Sequence, residues 1–282
     1  MNCVTSIKIG KKYSSIYVNN LYKAIRKQCD LDFICFTDDP TGIDPNVIVY
    51  DMQPLVKDSS RWKKEDPWYA QYVPHLADDP NMWMNYKMKS IGSYSWWPAW
   101  NKLELFAREE LDKYEKKIFF DLDMVIQGDI KPILDFETNF ALTPARWKSE
   151  EWANKKTKRN VERNKLPKFT FTSTCFVWKN VKFIYEQYIP NWQKYARIYN
   201  GIDVYLHQNH LSEFELLPKI FYSYREGSEP EHYRESSKDA AEIKKPYFKY
   251  MPEYSVCNFH QKPDIHELDH EHILYKIWND SL

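Results

Sequence analysis

The chain has 282 residues, and 43% of them are hydrophobic, a fraction that supports a folded core and argues against wholesale disorder. Its 40 basic and 40 acidic residues cancel, and this balance disfavours a general nucleic-acid binder. No apolar run approaches the roughly 20 residues that cross a bilayer, and residues 1–10 lack a signal-peptide pattern. The five cysteines form no C-x-x-C pair. We therefore expect a cytoplasmic protein without a transmembrane segment and with reduced thiols.

The first fifty residues alternate between strand and helix patterns. Residues 3–9 and 33–37 are β-rich runs, and apolar positions recur at helical spacing between them, from residue 16 to residue 27. Residues 47–50 make a third β run. This alternation predicts a sheet with parallel strands and with helices on its faces.

The later part of the chain is less regular. The pattern predicts an amphipathic helix over residues 101–114, a buried strand over 117–120 and a longer strand over 169–178. Residues 222–249 are polar enough to predict a connection, and residues 254–259 predict a last short strand.

Two segments interrupt the predicted domain, which we take to be a single one spanning residues 1–282. Residues 55–100 hold six of the 11 tryptophans and four prolines, a composition typical of loops and short helices inserted at the ligand side of a sheet. Those rings pack an insertion core or meet a ligand, and composition alone does not choose between the two. Residues 154–168 carry seven lysines and arginines against one glutamate, which predicts a mobile surface segment.

The sequence Asp121-Leu122-Asp123 is the strongest chemical signal because it directly follows a buried apolar strand. Side chains two positions apart on a strand point to one face, so both carboxylates are predicted to converge on a single cation. The carboxyl end of a strand is also where α/β sheets bind ligands. Carboxylate oxygens suit Mn²⁺ or Mg²⁺, which often share their ligands with phosphates.

A second signal lies near the carboxyl terminus of the chain. His260 follows a predicted strand, and a neutral imidazole is a suitable third ligand for Mn²⁺. Lys262 supplies a positive charge two residues later, suited to a diphosphate. Taken alone, a histidine of this kind is more often a surface residue than a ligand.

Five phrases in order resemble nucleotide-sugar transferases of the GT-A fold, especially the glycogenin and galactosyltransferase-like family 8. Residues 100–106 match W-x-K-L-x-x-F, and residues 118–130 match the metal phrase D-h-D-h-h-h-x-G-D-h with its preceding strand. Residues 171–178 match F-x-S-x-x-F-x-W, and residues 256–264 are similar to a closing h-x-F-H-G-K-P-K-P phrase. The opening strand, tyrosine and helix are similar too, and residues 17–22 and 33–39 resemble phrases of related bacterial and viral proteins.

The resemblance implies a single GT-A-like, Rossmann-type domain with a mixed central sheet, helices on both faces and a Trp-rich insertion. It implies a metal-dependent hexosyltransferase that moves a sugar from a nucleoside-diphosphate sugar, with UDP favoured, to a carbohydrate or other hydroxyl acceptor, with retention. The implied metal ligands are Asp121, Asp123 and His260. The implied donor-binding residues are Thr5, Tyr13, Asp38, Asp39, Lys102, Leu122, Ser173, Thr174 and Lys262.

The catalytic set implied by the resemblance is Asp121, Asp123, Lys102 and Asp203. Asp203 stands in Gly201-Ile202-Asp203, which matches the family's G-D-Q phrase only loosely. The closing phrase also departs from the family pattern, since its glycine is Gln261 here and its second basic residue is Asp264. These departures bear on the phosphate contacts and on the acceptor side of the predicted site.

Two alternatives come from other functional classes. Residues 121–125 also fit D-x-D-x-V, the nucleophile motif of haloacid-dehalogenase-like phosphatases, although that motif normally lies near the start of a chain and precedes a further acidic pair. A non-catalytic carbohydrate-binding protein is the other alternative, because 17% of the residues are aromatic. Such a protein would need neither a nucleotide nor a metal.

Overall fold

The computed structural model describes residues 1–53, 97–147, 170–192, 195, 201–229, 247–260 and 262–279. The predicted basic segment, residues 154–168, and residues 55–96 of the predicted Trp-rich insertion lie outside these ranges. The prediction of one domain over the whole chain therefore remains a prediction.

The described residues form ten strands and five α-helices in an α/β arrangement. The strands are β1 Asn2–Lys8, β2 Asp32–Thr37, β3 Ile48–Asp51, β4 Lys116–Phe120, β5 Met124–Ile126, β6 Phe140–Pro144, β7 Phe171–Trp178, β8 Glu215–Leu216, β9 Phe221–Ser223 and β10 Val256–Asn258. The α-helices are α1 Ser15–Arg26, α2 Lys131–Leu134, α3 Lys182–Tyr188, α4 Ile202–Asn209 and α5 Ile273–Asn279. Short 3₁₀ helices cover Trp97–Ala107, Glu109–Leu111, Ile189–Asn191, Leu211–Glu213 and Ile265–Glu267.

Seven strands make the main sheet in the order β3-β2-β1-β4-β7-β6-β8. The first four of these are parallel to one another, whereas β7 runs antiparallel to both β4 and β6. A second sheet has the order β5-β10-β9. The mixed central sheet expected from the family resemblance is confirmed.

Each face of the main sheet carries its own apolar cluster, and helices cover both faces as predicted. On one face, Val4 and Ile118 pack with residues of α1, α5 and the small sheet. On the other face, Phe119 and Phe176 stack with their ring centroids 4.6 Å apart and pack with residues of α3 and α4. The period-two alternation along β4 accounts for this division, because its neighbouring side chains face opposite layers.

Most of the predicted elements are confirmed, with two corrections. The amphipathic helix expected over residues 101–114 is wrong in type, since this stretch forms the 3₁₀ helices Trp97–Ala107 and Glu109–Leu111. Consecutive residues from Trp100 to Leu103 are all buried, so this stretch has no single apolar face of the kind that a surface α-helix presents. The polar connection expected over residues 222–249 contains most of the buried strand β9.

One edge of the main sheet gathers the carboxyl ends of β3, β2, β1 and β4. Because β7 is antiparallel to β4, its first half lies at the same edge, and Phe120 pairs with Cys175 there. The small sheet adjoins this edge through β5, which begins directly after Asp123. Every loop that leaves this edge can therefore contribute to one site.

Candidate active site

The Asp121-Leu122-Asp123 segment forms a turn between β4 and β5, held from both sides. The backbone N–H of Asp121 donates to the carbonyl oxygen of Thr174 at 2.8 Å. The carbonyl oxygen of Asp123 accepts from the N–H of Phe259 at 2.9 Å. Leu122 is buried in the apolar cluster between the two acids. The turn is therefore anchored on both sides, and its two carboxylates lie at the carboxyl edge of the sheet as predicted, although they stand on a turn rather than on the strand whose alternation was expected to align them.

Lys102 fixes the first of the two acids. Its Nζ donates to Oδ2 of Asp121 at 2.6 Å and to the carbonyl oxygen of Ser173 at 3.0 Å. The 3₁₀ helix Trp97–Ala107 buries this lysine at 8% exposure, and the Asp121 side chain is 23% exposed. The resemblance assigned Lys102 to the donor; in this structure its ammonium group contacts the acidic motif directly, and its role toward the donor stays a prediction.

Asp203 brings a third carboxylate to the same place. It lies in the first turn of α4, and its Oδ1 accepts from the backbone N–H of Ser173 at 2.9 Å. Burial raises the pKa of Asp121 to about 7; Lys102 opposes this effect, whereas the charges of Asp123 and Asp203 add to it. The carboxylates of Asp123 and Asp203 thus lie near Asp121, which itself contacts the buried ammonium group of Lys102, and this local excess of negative charge favours binding of a further cation.

Asp123 is contacted from the loop that follows β1. The hydroxyl of Tyr13 donates to Oδ2 of Asp123 at 2.7 Å, and the Tyr13 ring packs on Tyr17 with centroids 4.8 Å apart. Burial, followed by the charge of Asp123, raises the pKa of the Tyr13 hydroxyl well above its usual value. Lys12 Nζ lies 3.9 Å from Oδ2 of Asp123. Tyr13, which the resemblance assigns to the donor site beside the nucleotide base, therefore touches the predicted metal-binding turn.

The acids that follow β2 lie at the same edge and bind the end of β1 and the loop that follows it. Asp38 accepts from the N–H of Gly10 at 3.0 and 3.1 Å, and Gly10 has a φ of 74°, a conformation that favours glycine. The carbonyl oxygen of Asp39 accepts from Lys8 Nζ at 2.9 Å. These bonds join the loop after β2 to the end of β1 and to the loop that carries Tyr13, and the donor-binding role of Asp38 and Asp39 stays a prediction.

The other residues assigned to the donor lie deeper than the acids. Thr5 is fully buried, and its hydroxyl donates to the carbonyl oxygen of Ile118 at 3.3 Å. Ser173 is 3% exposed, and its backbone groups bind Lys102 and Asp203. The hydroxyl of Thr174 is buried without a hydrogen-bond partner in the described structure. Thr5 therefore stabilises the sheet, and Ser173 aligns the charged groups around it.

The His260 side chain contacts residues outside the acidic motif. Its ring stacks on Trp147 with centroids 5.8 Å apart, and its Nε2 lies 3.2 Å from Oε2 of Glu226. Within the part of the chain that the structure describes, no three His, Cys, Asp or Glu side chains form a group that could hold a metal ion. The structure thus brings together Asp121 and Asp123 but does not add His260 to them.

Lys262 is also engaged elsewhere. Its Nζ lies 2.7 Å from Oδ2 of Asp264 and pairs with Glu267 on the 3₁₀ helix Ile265–Glu267. Its side chain is 68% exposed. Asp264 in turn lies 3.9 Å from Lys12 Nζ. Asp264 was noted from the sequence only as a departure from the closing phrase, and no role was predicted for Lys12, although its position directly before Tyr13, in the loop after the first strand, was a signal for its place here.

Comparisons with solved structures agree with this architecture. The chain matches the galactosyltransferase LgtC in complex with donor and acceptor sugar analogues with a TM-score of 0.55 and 12% identity, over 100% of this chain and 96% of that one. It matches an active-site mutant of LgtC with the same TM-score of 0.55 and 11% identity, over 100% and 95% of the two chains. It matches the bifunctional glycosyltransferase WbbM with a TM-score of 0.55 and 10% identity, covering 99% of this chain and 49% of that one.

The chain has the fold of these GT-A-type glycosyltransferases. The fold predicted from the motif order is thereby confirmed. At the level of sequence, no protein-family model and no curated protein matches the chain. Among the described residues, no helix is long and apolar enough to cross a membrane.

Proposed function

We propose that this chain is a metal-dependent glycosyltransferase that transfers a sugar from a nucleoside-diphosphate sugar to a hydroxyl acceptor. UDP is the proposed nucleotide and Mn²⁺ or Mg²⁺ the proposed ion, with carbohydrate as the proposed acceptor class. One observation carries the proposal: Asp121, Asp123, Asp203 and Lys102 converge at the carboxyl edge of a GT-A-type sheet. That edge is where α/β folds bind their ligands.

The donor set of the site fits a hard divalent cation. Asp121 and Asp123 leave the same turn with oxygen ligands, and the raised pKa of Asp121 reflects burial and negative charge that a cation would offset. These two residues would hold the ion, which supplies positive charge to a departing diphosphate. A place for His260 beside them would require its ring to leave Glu226 and Trp147.

The residues of the chain itself have separable roles in this proposal. Lys102 holds Asp121 in place through its 2.6 Å contact and at the same time binds the Ser173 carbonyl. Asp203 accepts from the backbone N–H of the same serine at 2.9 Å. This arrangement is preorganised, because each charged group already has a fixed partner before a ligand arrives. Tyr13 supplies a ring for stacking on the base beside Asp123.

Transfer breaks the bond between the anomeric carbon and the diphosphate oxygen and forms a bond from that carbon to the acceptor oxygen. The acceptor proton passes to the departing phosphate oxygen when the configuration is retained, so no separate general base is needed. An inverting enzyme would instead need a carboxylate as base. Retention is the outcome that we propose, in line with the family 8 resemblance.

Calorimetry with UDP and GDP, each with and without Mn²⁺, tests the proposal. We expect Mn²⁺-dependent binding of UDP to the wild-type protein and its loss in Asp123→Ala. Asp112→Ala is the matched control, because Asp112 is an exposed aspartate beyond the opposite end of β4. A folded wild-type protein that binds neither nucleotide would refute the proposal.

Two further assays separate the alternatives. Hydrolysis of generic phosphate esters in Mg²⁺ without nucleotide binding would support the phosphatase. Glycan binding that persists in EDTA and in Asp123→Ala would support the non-catalytic carbohydrate-binding protein.

A further inference from the structure

Lys12 is the movable cation nearest to the second acid of the turn. Its Nζ lies 3.9 Å from Oδ2 of Asp123 and 3.9 Å from Oδ1 of Asp264, and it also contacts the hydroxyl of Tyr13. Its side chain is 43% exposed, and within the described residues it forms no ion pair closer than these two. Because both ion pairs are long and the side chain is partly exposed, this ammonium group can exchange its carboxylate partners at little energetic cost.

The other two lysines of the site are held more tightly. Lys102 is buried between Asp121 and the Ser173 carbonyl, and moving it would leave a half-buried carboxylate unpaired. Lys262 is bound to both Asp264 and Glu267. Lys12 is therefore the lysine that can turn toward a ligand while the contacts that shape the site stay intact.

We propose that Lys12 binds the diphosphate of the donor, a role that sequence reasoning gave to Lys262. The inference rests on the proposed function and adds a donor-contacting residue to it. A diphosphate is strongly anionic, and a lysine ammonium is a compact point charge that binds phosphate without a fixed geometry. Lys12 lies 4.4 Å from the centroid of the Tyr13 ring, so its charge stands directly beside the ring that we assign to the base.

A different role for Lys12 predicts the opposite change in Mn²⁺-dependent binding when the lysine is removed. If this lysine merely occupied Asp123 in place of a metal ion, its removal would free a carboxylate and tighten Mn²⁺-dependent binding. If it meets the diphosphate, its removal weakens that binding. The two readings are distinguished by one substitution.

The experiment compares Lys12→Ala, Lys12→Arg and Lys11→Ala by calorimetry with UDP and with UMP, all in Mn²⁺. Lys11→Ala is the matched control, since Lys11 is an exposed lysine one position earlier in the same loop. We expect Lys12→Ala to weaken UDP binding about tenfold and UMP binding less, because only UDP carries the second phosphate. We expect the UDP affinity of Lys12→Arg to stay within about threefold of wild type and that of Lys11→Ala to match wild type. The difference in UDP affinity between wild type and Lys12→Ala should become smaller as the salt concentration rises.

Equal or tighter UDP binding by Lys12→Ala would overturn the inference, and so would an equal loss for UDP and UMP. A larger loss in Lys262→Ala than in Lys12→Ala would return the diphosphate role to Lys262. Failure of the wild-type protein to bind any nucleotide is a different result, which refutes the proposed function itself. Thermal melts of each variant check that the substitutions at this exposed loop leave the fold intact.

Discussion

The hydroxyl of Tyr13 donates a hydrogen bond to Oδ2 of Asp123 at 2.7 Å, across 110 positions of sequence. This bond joins the loop after β1 to the turn after β4, two neighbouring parallel strands of the main sheet. The proposed base-binding ring and the proposed metal-binding carboxylate are therefore one connected unit. A ligand that binds the carboxylate of Asp123 therefore also affects its hydrogen bond with Tyr13.

Tyr13→Ala should weaken Mn²⁺-dependent UDP binding by about 10- to 100-fold. The physical reason is the loss of a stacking partner for the base, which is worth about 1–3 kcal/mol in protein–nucleotide contacts. Calorimetry with UDP measures the effect. Tyr13→Phe is the matched control, since it keeps the ring and removes only the hydroxyl that binds Asp123; we expect it to stay within about threefold of wild type. Equal losses in both variants would assign the role to the hydroxyl instead.

Lys102→Met should destabilise the protein by about 2–3 kcal/mol, because it leaves the carboxylate of Asp121 without its 2.6 Å partner. The loss should be larger at pH 8 than at pH 5, since the raised pKa of Asp121 lets that carboxyl take up a proton at the lower pH. Denaturant unfolding at the two pH values measures this. The double variant Lys102→Met with Asp121→Asn should recover much of the loss. A pH-independent loss would indicate that only the packing of the lysine stem matters.

The first half of the fold could be predicted from the sequence because its signals are local. The apolar run of β4 and the helical spacing of α1 each follow from a single periodicity, and Asp121-Leu122-Asp123 follows β4 directly. The strand–helix alternation indicates parallel strands, whose carboxyl ends meet at one edge. The mixture of parallel and antiparallel strands in the main sheet was predicted from the family resemblance, because periodicity alone does not indicate strand direction.

The partners of the site residues could not be predicted, because they depend on contacts between distant segments. The contact of His260 with Glu226 and Trp147 depends on how the end of β6 meets the small sheet, and nothing in the local sequence encodes it. The ion pair between Lys262 and Asp264 was not predicted either, because the resemblance to a basic closing phrase favoured a diphosphate contact for Lys262. Residue types at a strand end can thus be predicted, but the direction of each side chain cannot.

Asp121→Asn should stabilise the metal-free protein while abolishing Mn²⁺-dependent UDP binding. The carboxyl of Asp121 has a pKa of about 7 in the folded protein against 3.8 for the ordinary group. A raised pKa means that the folded state binds the proton more tightly, so the wild-type protein loses stability as pH rises from about 4 to 7. Asparagine carries no charge and still accepts from Lys102, so this variant escapes that loss.

Thermal melts in EDTA from pH 5 to pH 8 measure this effect. The melting temperature of Asp121→Asn should exceed that of wild type by about 2 °C or more at pH 8, with a smaller gap at pH 5. Asp112→Ala controls for the removal of an exposed aspartate. A variant that is less stable than wild type at every pH would show that the negative charge of Asp121 is required by the fold.

Asp203→Ala should reduce sugar transfer more than donor binding. Its carboxylate holds the Ser173 N–H at 2.9 Å beside Asp121, and Ser173 also binds Lys102. We expect a fall of about 100-fold in kcat, with UDP affinity within about threefold of wild type. Asp203→Asn keeps an acceptor for the Ser173 N–H and therefore separates the charge from the hydrogen bond. Recovery of activity in Asp203→Asn would assign a positioning role, and equal loss in both variants would assign the charge itself.

His260→Ala should weaken Mn²⁺ binding less than Asp123→Ala does. The imidazole is paired with Glu226 at 3.2 Å and stacked on Trp147, and no third ligand joins Asp121 and Asp123 within the described residues. Asp123, by contrast, belongs to the turn itself, whose backbone is held by Phe259. Calorimetric titration with Mn²⁺ in the presence of UDP compares the two variants, and Glu226→Gln is the control that removes the charge beside the ring and keeps the ring itself.

If His260→Ala lost Mn²⁺ binding as completely as Asp123→Ala, the ring would have to leave Glu226 and join the acids when the metal binds. In that case Glu226→Gln, which removes the competing charge, should bind Mn²⁺ more tightly than wild type.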